Sequence, residues 1–370
     1  MKKPVIFIFL LSLLALSSCE SNDMSTSGDD TLPEIISIST EFGGMAVYGC
    51  PITITGSDFS SDPKGNAVMF GDSLITELVR STECEITVNA PVLEDYTVPV
   101  MVISDGIKSK PVVLRYDEFR CDSVTIFRNA EVVKLREGVV WTSAMTTWQG
   151  EPRSLNVISI VPSETNIIGI ACPSGYETTS SQGESLGALA AINAAYFGGS
   201  AHDGFVRIGG EVIKTGGYDC AAFLADAVFM LAGNLPSIRY VKGNAGAAEV
   251  DAPDVVCCGP LLIYAGMRRN MDMQEQHNNV SHPRTAIGIT SDGKVLFVTV
   301  DGRAPANAVG MSTELLARFM KVIGAEYAMN LDGGGSTTMW IKGKGVVNHP
   351  SDGGWDAGKE RKVGSIIYLK

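Results

Sequence analysis

Leu331-Asp332-Gly333-Gly334-Gly335-Ser336-Thr337-Thr338-Met339 closes an apolar, strand-like run that begins at Tyr327. A strand that ends in a carboxylate and passes into three glycines and three hydroxyl residues suits a ligand pocket. Glycines lack Cβ, so backbone N–H groups can close around an anion. The hydroxyls of Ser336 and Thr337 add donors. Asp332 adds a negative charge that must do something other than hold a phosphate. A tight glycine turn between two strands is the plain alternative, and the neighbouring residues decide against it.

Upstream, Thr285–Thr290 and Val295–Val300 are β-prone and separated by Ser291-Asp292-Gly293-Lys294. They read as an antiparallel hairpin that brings Arg284, entering the first strand, beside Asp301, leaving the second. A helix follows, capped by Ser312 or Thr313, with Glu314 at its positive end. Leu315, Phe319 and Ile323 recur every four residues, and Gly324 is placed to end it. Strand, helix and strand predict a βαβ unit with parallel strands. Asp301-Gly302-Arg303 and Asp332-Gly333-Gly334 are therefore expected at one sheet edge, where ligands bind in open α/β sheets. Arg284 joins them through the hairpin.

The rest of residues 117–370 mixes both element types and predicts an α+β/α/β domain with a mixed sheet. Ser123–Phe127, Glu131–Leu135, Gly138–Thr142, Leu155–Val161 and Ile167–Ala171 read as strands. Leu186 to Ala191 suits a helix. Val206–Ile208 and Glu211–Lys214 form a hairpin across Gly209-Gly210.

From Pro33 to Tyr116, short β-prone runs recur between Gly, Pro, Asp and Asn: Ile35–Ile38, Pro51–Thr55, Ala67–Phe70, Glu85–Val88, Val98–Ile103 and Val112–Leu114. That spacing predicts an all-β immunoglobulin-like sandwich. Residues 1–18 carry Lys2 and Lys3, an apolar run and Ser17-Ser18 ahead of Cys19, a secretory signal resembling a bacterial lipobox. This resemblance implies a lipid on Cys19. Residues 19–32 are polar and acidic and read as a flexible tether.

The 370-residue chain is 45% hydrophobic, enough for real cores, and carries a net charge of −12 without a basic stripe. Nucleic acid and anionic membrane surfaces are thereby disfavoured as partners; the membrane enters only through the anchor. Cys50 and Cys84 are a candidate disulfide. His202, His277, His282 and His349 show no ligand spacing, and no Cys/His spacing suits zinc.

Two families are resembled. Residues 33–116 are similar to the IPT/TIG immunoglobulin-like family through Ile52-Thr53-Ile54-Thr55-Gly56-Ser57-Asp58-Phe59, Val68-Met69-Phe70-Gly71 and Ile86-Thr87-Val88-Asn89-Ala90-Pro91, with Gly49-Cys50 where Gly-Thr is usual. The second domain resembles phosphodiester glycosidases of the kind that remove a capping N-acetylglucosamine from a phosphodiester. The matching residues are Ile192-Asn193-Ala194-Ala195-Tyr196-Phe197, Gly259-Pro260-Leu261-Leu262, Pro283-Arg284-Thr285-Ala286-Ile287-Gly288, Asp301-Gly302-Arg303, the stretch Asn330–Met339, and Asn348-His349-Pro350-Ser351-Asp352 with Glu360-Arg361. Tyr196 stands where Phe is usual, and His349 also departs from the pattern.

This second resemblance implies hydrolysis at the anomeric C–O bond of a sugar phosphodiester. Glycoside cleavage usually needs two carboxyls. Asp332 is the candidate nucleophile or base, Asp301 its partner or an orienter of arginine, and Glu360 a third carboxyl. Arg284 suits bidentate phosphate binding, with Arg303 beside it. Gly333, Gly334, Gly335, Ser336 and Thr337 would donate to the same anion, and Asn193 to sugar or phosphate. Each has a structural alternative: a turn at Asp301, an Arg284–Asp301 pair, a bridging Glu360-Arg361, a buried amide at Asn193. No cofactor is required, although Ca²⁺ or Mg²⁺ on Asp301, Asp332 and Asn330 would make a phosphodiesterase instead. A non-catalytic surface glycan-binding lipoprotein is the other alternative.

Overall fold

The computed structural model describes residues 32–93, 95–198, 204–217, 225–355 and 359–370. The leader, Cys19 and most of the tether lie outside the described residues. Two compact units divide the chain. One takes the residues through Ile38, Thr53–Val88 and Pro99–Val113; the other takes Ser39–Ile52, Asn89–Val98 and Leu114–Lys370.

Every strand expected before residue 117 is present, extended by one to three residues: Glu34–Thr40, Pro51–Ser57, Asn66–Phe70, Glu85–Asn89, Thr97–Ser104 and Val112–Tyr116. Alternation drives them. In Pro51–Ser57, Ile52, Ile54 and Gly56 are buried, while Pro51 and Thr55 are exposed. Cys50 and Cys84 are separate thiols, so the expected disulfide is absent.

The second region is mostly β, with few helices. Its largest sheet has eight strands in the order Glu131–Arg136, Val139–Trp148, Glu151–Ile160, Val295–Val300, Arg284–Thr290, Ala325–Asn330, Leu261–Tyr264, Met267–Arg268. Each pairing in this sheet is antiparallel where a mixed sheet was expected. The strands Val295–Val300 and Ala325–Asn330 are indeed parallel to each other. They are not neighbours, however: Arg284–Thr290 lies between them, antiparallel to both. Its insertion keeps the expected edge, because the start of the middle strand and the ends of its two neighbours coincide.

Val295–Val300 is buried throughout. Val295 and Phe297 face a core shared with Ile192, Phe229, Met339 and Ile367. Leu296, Val298 and Val300 face Leu316, Phe319 and Met320 of the helix Thr313–Val322. Ser312 caps that helix through Leu315 N–H, as the sequence predicts. Two five-stranded sheets and a two-stranded pair, Glu177–Thr178 with Lys362–Val363, complete the described part of the region. One runs Ile168–Ala171, Ile366–Leu369, Ala190–Asn193, Met339–Ile341, Gly345–Val346; the other contains the expected Gly209-Gly210 hairpin. Among the described residues no helix is long and apolar enough to cross a membrane.

Two local expectations are overturned. Ser123–Phe127 is the end of a helix, Glu118–Phe127, rather than a strand. Val124, Thr125 and Ile126 favour strands, but Asp117 caps the helix at Arg120 N–H, and Asp122 is buried against Arg318 Nε (2.6 Å) and Trp148 Nε1 (2.9 Å). Tertiary pairing outweighs propensity there. The helix expected over Leu186–Ala191 instead ends at Ser185, and Ala190–Asn193 is a central strand.

Candidate active site

Asp332 follows the strand Ala325–Asn330 at the sheet edge. Its backbone is fixed from three sides. Leu331 N–H donates to Thr285 O (2.8 Å), Asp332 N–H to Ala194 O (2.9 Å), and Asn193 Nδ2 to Asp332 O (2.6 Å). Asn193 is wholly buried, and its Oδ1 accepts from Thr285 Oγ1 and Thr338 N–H. This amide therefore positions the Asp332 loop and is spent on the protein.

A pocket of about 220 Å³ opens beside this loop. Asp332, Gly333–Gly335, Arg284, Arg303 and Arg361 line it, with Tyr196, His277, His282 and Pro283. Asp332 is the one carboxylate among these residues. Burial pushes its carboxyl up to about 7, against the opposing pull of Ser336, Arg361 and the Gly333 amide.

The glycines serve close packing more than anion binding. A Cβ on Gly333 would lie 2.6 Å from Pro283 O, and one on Gly335 2.1 Å from Asp352 Oδ1. The amides of Gly334, Ser336 and Thr337 already donate to Pro283 O, Gly333 O and Gly334 O. Ser336 and Thr337 are buried and do not line the pocket. The backbone donors of the expected cradle are therefore largely consumed internally, and its hydroxyls are buried away from the pocket.

Arginines take its place. Arg284 is 1% exposed, yet forms no carboxylate ion pair among the described residues. Carbonyls hold it instead: Nε donates to Met311 O (2.9 Å), and Nη2 to His277 O (2.6 Å) and Val280 O (3.1 Å). Burial lowers its pKa to about 10. A buried cation without a counter-ion is costly, and an anionic ligand would relieve that cost. Arg303 has φ +60°, a conformation most side chains avoid, which sets its guanidinium over Gly334. Arg361 forms a bidentate pair with Asp352 (2.7 and 2.9 Å), which draws the Asp352 carboxyl below its usual range.

His277 completes the wall. Its Nε2 lies 2.9 Å from Tyr196 Oη and 3.4 Å from Arg284 Nη1, and burial beside Arg284 lowers its pKa to about 3. The imidazole is neutral and offers Nε2 as an acceptor. Tyr196 Oη also lies 2.9 Å from Gly259 O and accepts from Asn330 Nδ2.

Asp301 and Glu360 are not brought into this pocket. Asp301 is 1% exposed and accepts from Ser154 Oγ (2.6 Å), Asn348 Nδ2 (3.0 Å) and His349 N–H (2.8 Å). Asn348 in turn holds Met339 N–H and Thr337 O. Asp301 thus braces the loop after Asp332, and no Arg284–Asp301 pair forms. Glu360 accepts from Ser180 N–H and Oγ, anchoring the residue before Arg361. The sequence reading missed Arg361, His277 and His282 as pocket residues. Adjacency to Glu360 was the one signal for Arg361, and nothing in the spacing marks the histidines. Among the described residues, no group of three or more His, Cys, Asp or Glu is placed to hold a metal.

Two family models match the chain. One, described as phosphodiester glycosidase, covers residues 186–370; the other, IPT/TIG domain, covers residues 33–116. The fold is similar to the zebrafish N-acetylglucosamine-1-phosphodiester alpha-N-acetylglucosaminidase catalytic domain, auto-inhibited by its pro-peptide. That similarity spans 65% of this chain and 87% of that one, with 17% identity and a TM-score of 0.50. A hypothetical protein from Synechocystis aligns over 92% and 81% of the two chains, at 14% identity and a TM-score of 0.47. The SPbeta prophage-derived uncharacterized protein YomE of Bacillus subtilis strain 168 is 41% identical over 75 residues, which is 20% of this chain and 11% of that protein.

Proposed function

The chain belongs to the phosphodiester glycosidase family through residues 186–370, and from that premise we propose that the Asp332 pocket hydrolyses the anomeric C–O bond of a sugar 1-phosphodiester. The observation that carries this reading is one carboxylate, its pKa near neutrality, facing a pocket with three arginines. Family membership supports a glycosidase-type hydrolase; the substrate, N-acetylglucosamine 1-phosphodiester, is our proposal from the likeness to the zebrafish enzyme.

In the proposed reaction, Arg284 and Arg303 hold the non-bridging phosphate oxygens, and Arg361 closes the remaining side. Ionised Asp332 takes a proton from water as the water oxygen bonds to the anomeric carbon. The C–O bond to phosphate breaks, and its electron pair leaves with the phosphomonoester. A phosphate monoester, with a second pKa of about 6, departs without a strong general acid. That suits a pocket in which Asp301 and Glu360 are engaged elsewhere. A single carboxylate among three guanidiniums is a poor donor set for Ca²⁺ or Mg²⁺, so we propose a cation-independent reaction that proceeds unchanged in chelator. On the same footing, the leader and Cys19 put the enzyme in the cell envelope; labelled palmitate incorporated in the wild type and lost in Cys19→Ala is the check.

The test is product analysis with methyl N-acetylglucosamine 1-phosphodiester in ¹⁸O water. Label in the sugar is expected, with methyl phosphate unlabelled. Label in phosphate, with methanol released, would mean P–O cleavage and overturn the glycosidase reading. Inversion at the first-formed sugar is expected for water activation; retention would assign Asp332 direct attack.

A further inference from the structure

Arg284 spends two of its three guanidinium nitrogens on the protein. Nε and Nη2 donate to the carbonyls of Met311, His277 and Val280. Among the described residues, the contact of Nη1 is His277 Nε2 at 3.4 Å. That separation is long for an N–H donor, so the bond is weak.

The His277 lone pair has a better donor. Tyr196 Oη lies 2.9 Å from Nε2, and the two rings meet edge to face with centroids 5.7 Å apart. The Tyr196 oxygen accepts from Asn330 Nδ2 at 2.9 Å. Gly259 O, the second acceptor near the hydroxyl, already accepts from Asn330 Nδ2 at 2.8 Å. The hydroxyl hydrogen is therefore assigned to His277, whose ring proton then sits on Nδ1. One nitrogen lone pair serves one strong hydrogen bond, and the shorter approach belongs to tyrosine rather than arginine. Tyr196, His277 and Arg284 all line the Asp332 pocket.

We propose that Tyr196 is a positioning residue for anion recognition: its hydroxyl takes up the His277 lone pair and so leaves the Nη1 hydrogens of Arg284 to the phosphate. Tyr196 is also a position at which this chain departs from the pattern it resembles, where Phe is usual. Without the hydroxyl, His277 Nε2 is an acceptor facing Arg284 Nη1. Closing that gap to about 2.9 Å would engage all three guanidinium nitrogens with the protein. A phosphate would then have to break a hydrogen bond to reach the arginine. The inference rests on the proposed phosphate grip of Arg284 and deepens it.

Binding of methyl phosphate, followed by ³¹P NMR, tests this without turnover. Tyr196→Phe is expected to weaken it about fivefold, the scale of one neutral hydrogen bond. KM for the methyl diester is expected to rise by the same factor, with kcat changed by less than about twofold. Tyr196→Phe combined with His277→Phe removes the lone pair as well and is expected to restore the wild-type affinity. Equal affinity in the wild type and Tyr196→Phe overturns the inference. A loss that persists in the double variant also overturns it, because Tyr196 would then touch the ligand or merely support the wall. The ¹⁵N resonance of His277 Nε2 gives a further readout on the single variant. Methyl phosphate is expected to move it in Tyr196→Phe, as Arg284 leaves the ring, and a resonance that stays in place overturns the inference. A wild type that does not bind methyl phosphate overturns the inference together with the phosphate grip. P–O cleavage in ¹⁸O water would overturn the glycosidase reading alone, since the titration is read without reference to the bond broken.

Discussion

Asp301-Gly302 and Asp332-Gly333 are the same dipeptide at the ends of two strands that run in the same direction, yet they do opposite work. Asp332 faces a pocket and keeps its carboxyl open to a ligand. Asp301 is sealed, with three donors on its two oxygens. The residues that come back toward them explain the difference. Asp301 meets Ser154 and the Asn348-His349 turn, all hydrogen-bond donors. Asp332 meets arginines that line open space, and its own loop is packed too tightly on Pro283 and Asp352 to cover it. A strand-end aspartate becomes a reactive group when its neighbours hold its backbone and leave its carboxyl open.

The contrast can be broken most directly at Asp332. Asp332→Asn is expected to cut kcat about a thousandfold with the fold intact, the usual scale for losing a general base; activity within tenfold of wild type would abolish the distinction. Arg284→Lys replaces a carbonyl-held fork with a point charge, and a loss of about a hundredfold in kcat/KM, mostly in KM, is expected from steady-state kinetics. Asp301 is expected to show its role in stability. Asp301→Ala strands three buried donors and should cost about 3 kcal/mol in denaturant unfolding. Asp301→Asn still accepts from Asn348 and His349 and turns Ser154 into an acceptor, so it should keep most activity. Loss of turnover in a folded Asp301→Asn would put this carboxylate back in the chemistry.

The smallest expected effect concerns pH. The Asp332 carboxyl is raised from 3.8 to about 7 in the folded chain, so the native state binds this proton more tightly than the unfolded state. Its contribution to stability is complete below pH 3.8, declines as pH rises, and is gone above about 7. Activity should run the other way, rising through pH 7 as the base ionises. Asp332→Asn is then expected to melt about 3 °C higher than wild type at pH 8, with the gap closing near pH 4. An equal gap at both pH values would mean that Asp332 is not the strained group.

Much of this was readable in the residues, for physical reasons particular to each stretch. Five of the six strands expected before residue 117 alternate cleanly because each has one buried face, whereas Glu34–Thr40 buries only Ile35. The Leu315-Phe319-Ile323 helix and its Ser312 cap were legible because both signals are local. The common edge for Arg284, Asp301 and Asp332 followed from hairpin and crossover geometry, although the crossover is opened by an intervening strand. The helix Glu118–Phe127 was not legible, because its buried Asp122 is balanced by Arg318, 196 positions away. Nor were His277 and Arg361, which reach the pocket from segments with no shared spacing.

The sequence by itself determined which residues stand at the ends of strands, since periodicity, caps and turns act over a few positions. It also determined that a carboxylate and arginines gather at one edge of a sheet. Only the tertiary structure decided which carboxylate stays available and which groups grip an anion. Those outcomes depend on donors and space supplied by chain segments far apart in sequence, and local pattern carries no record of who fills a lone pair.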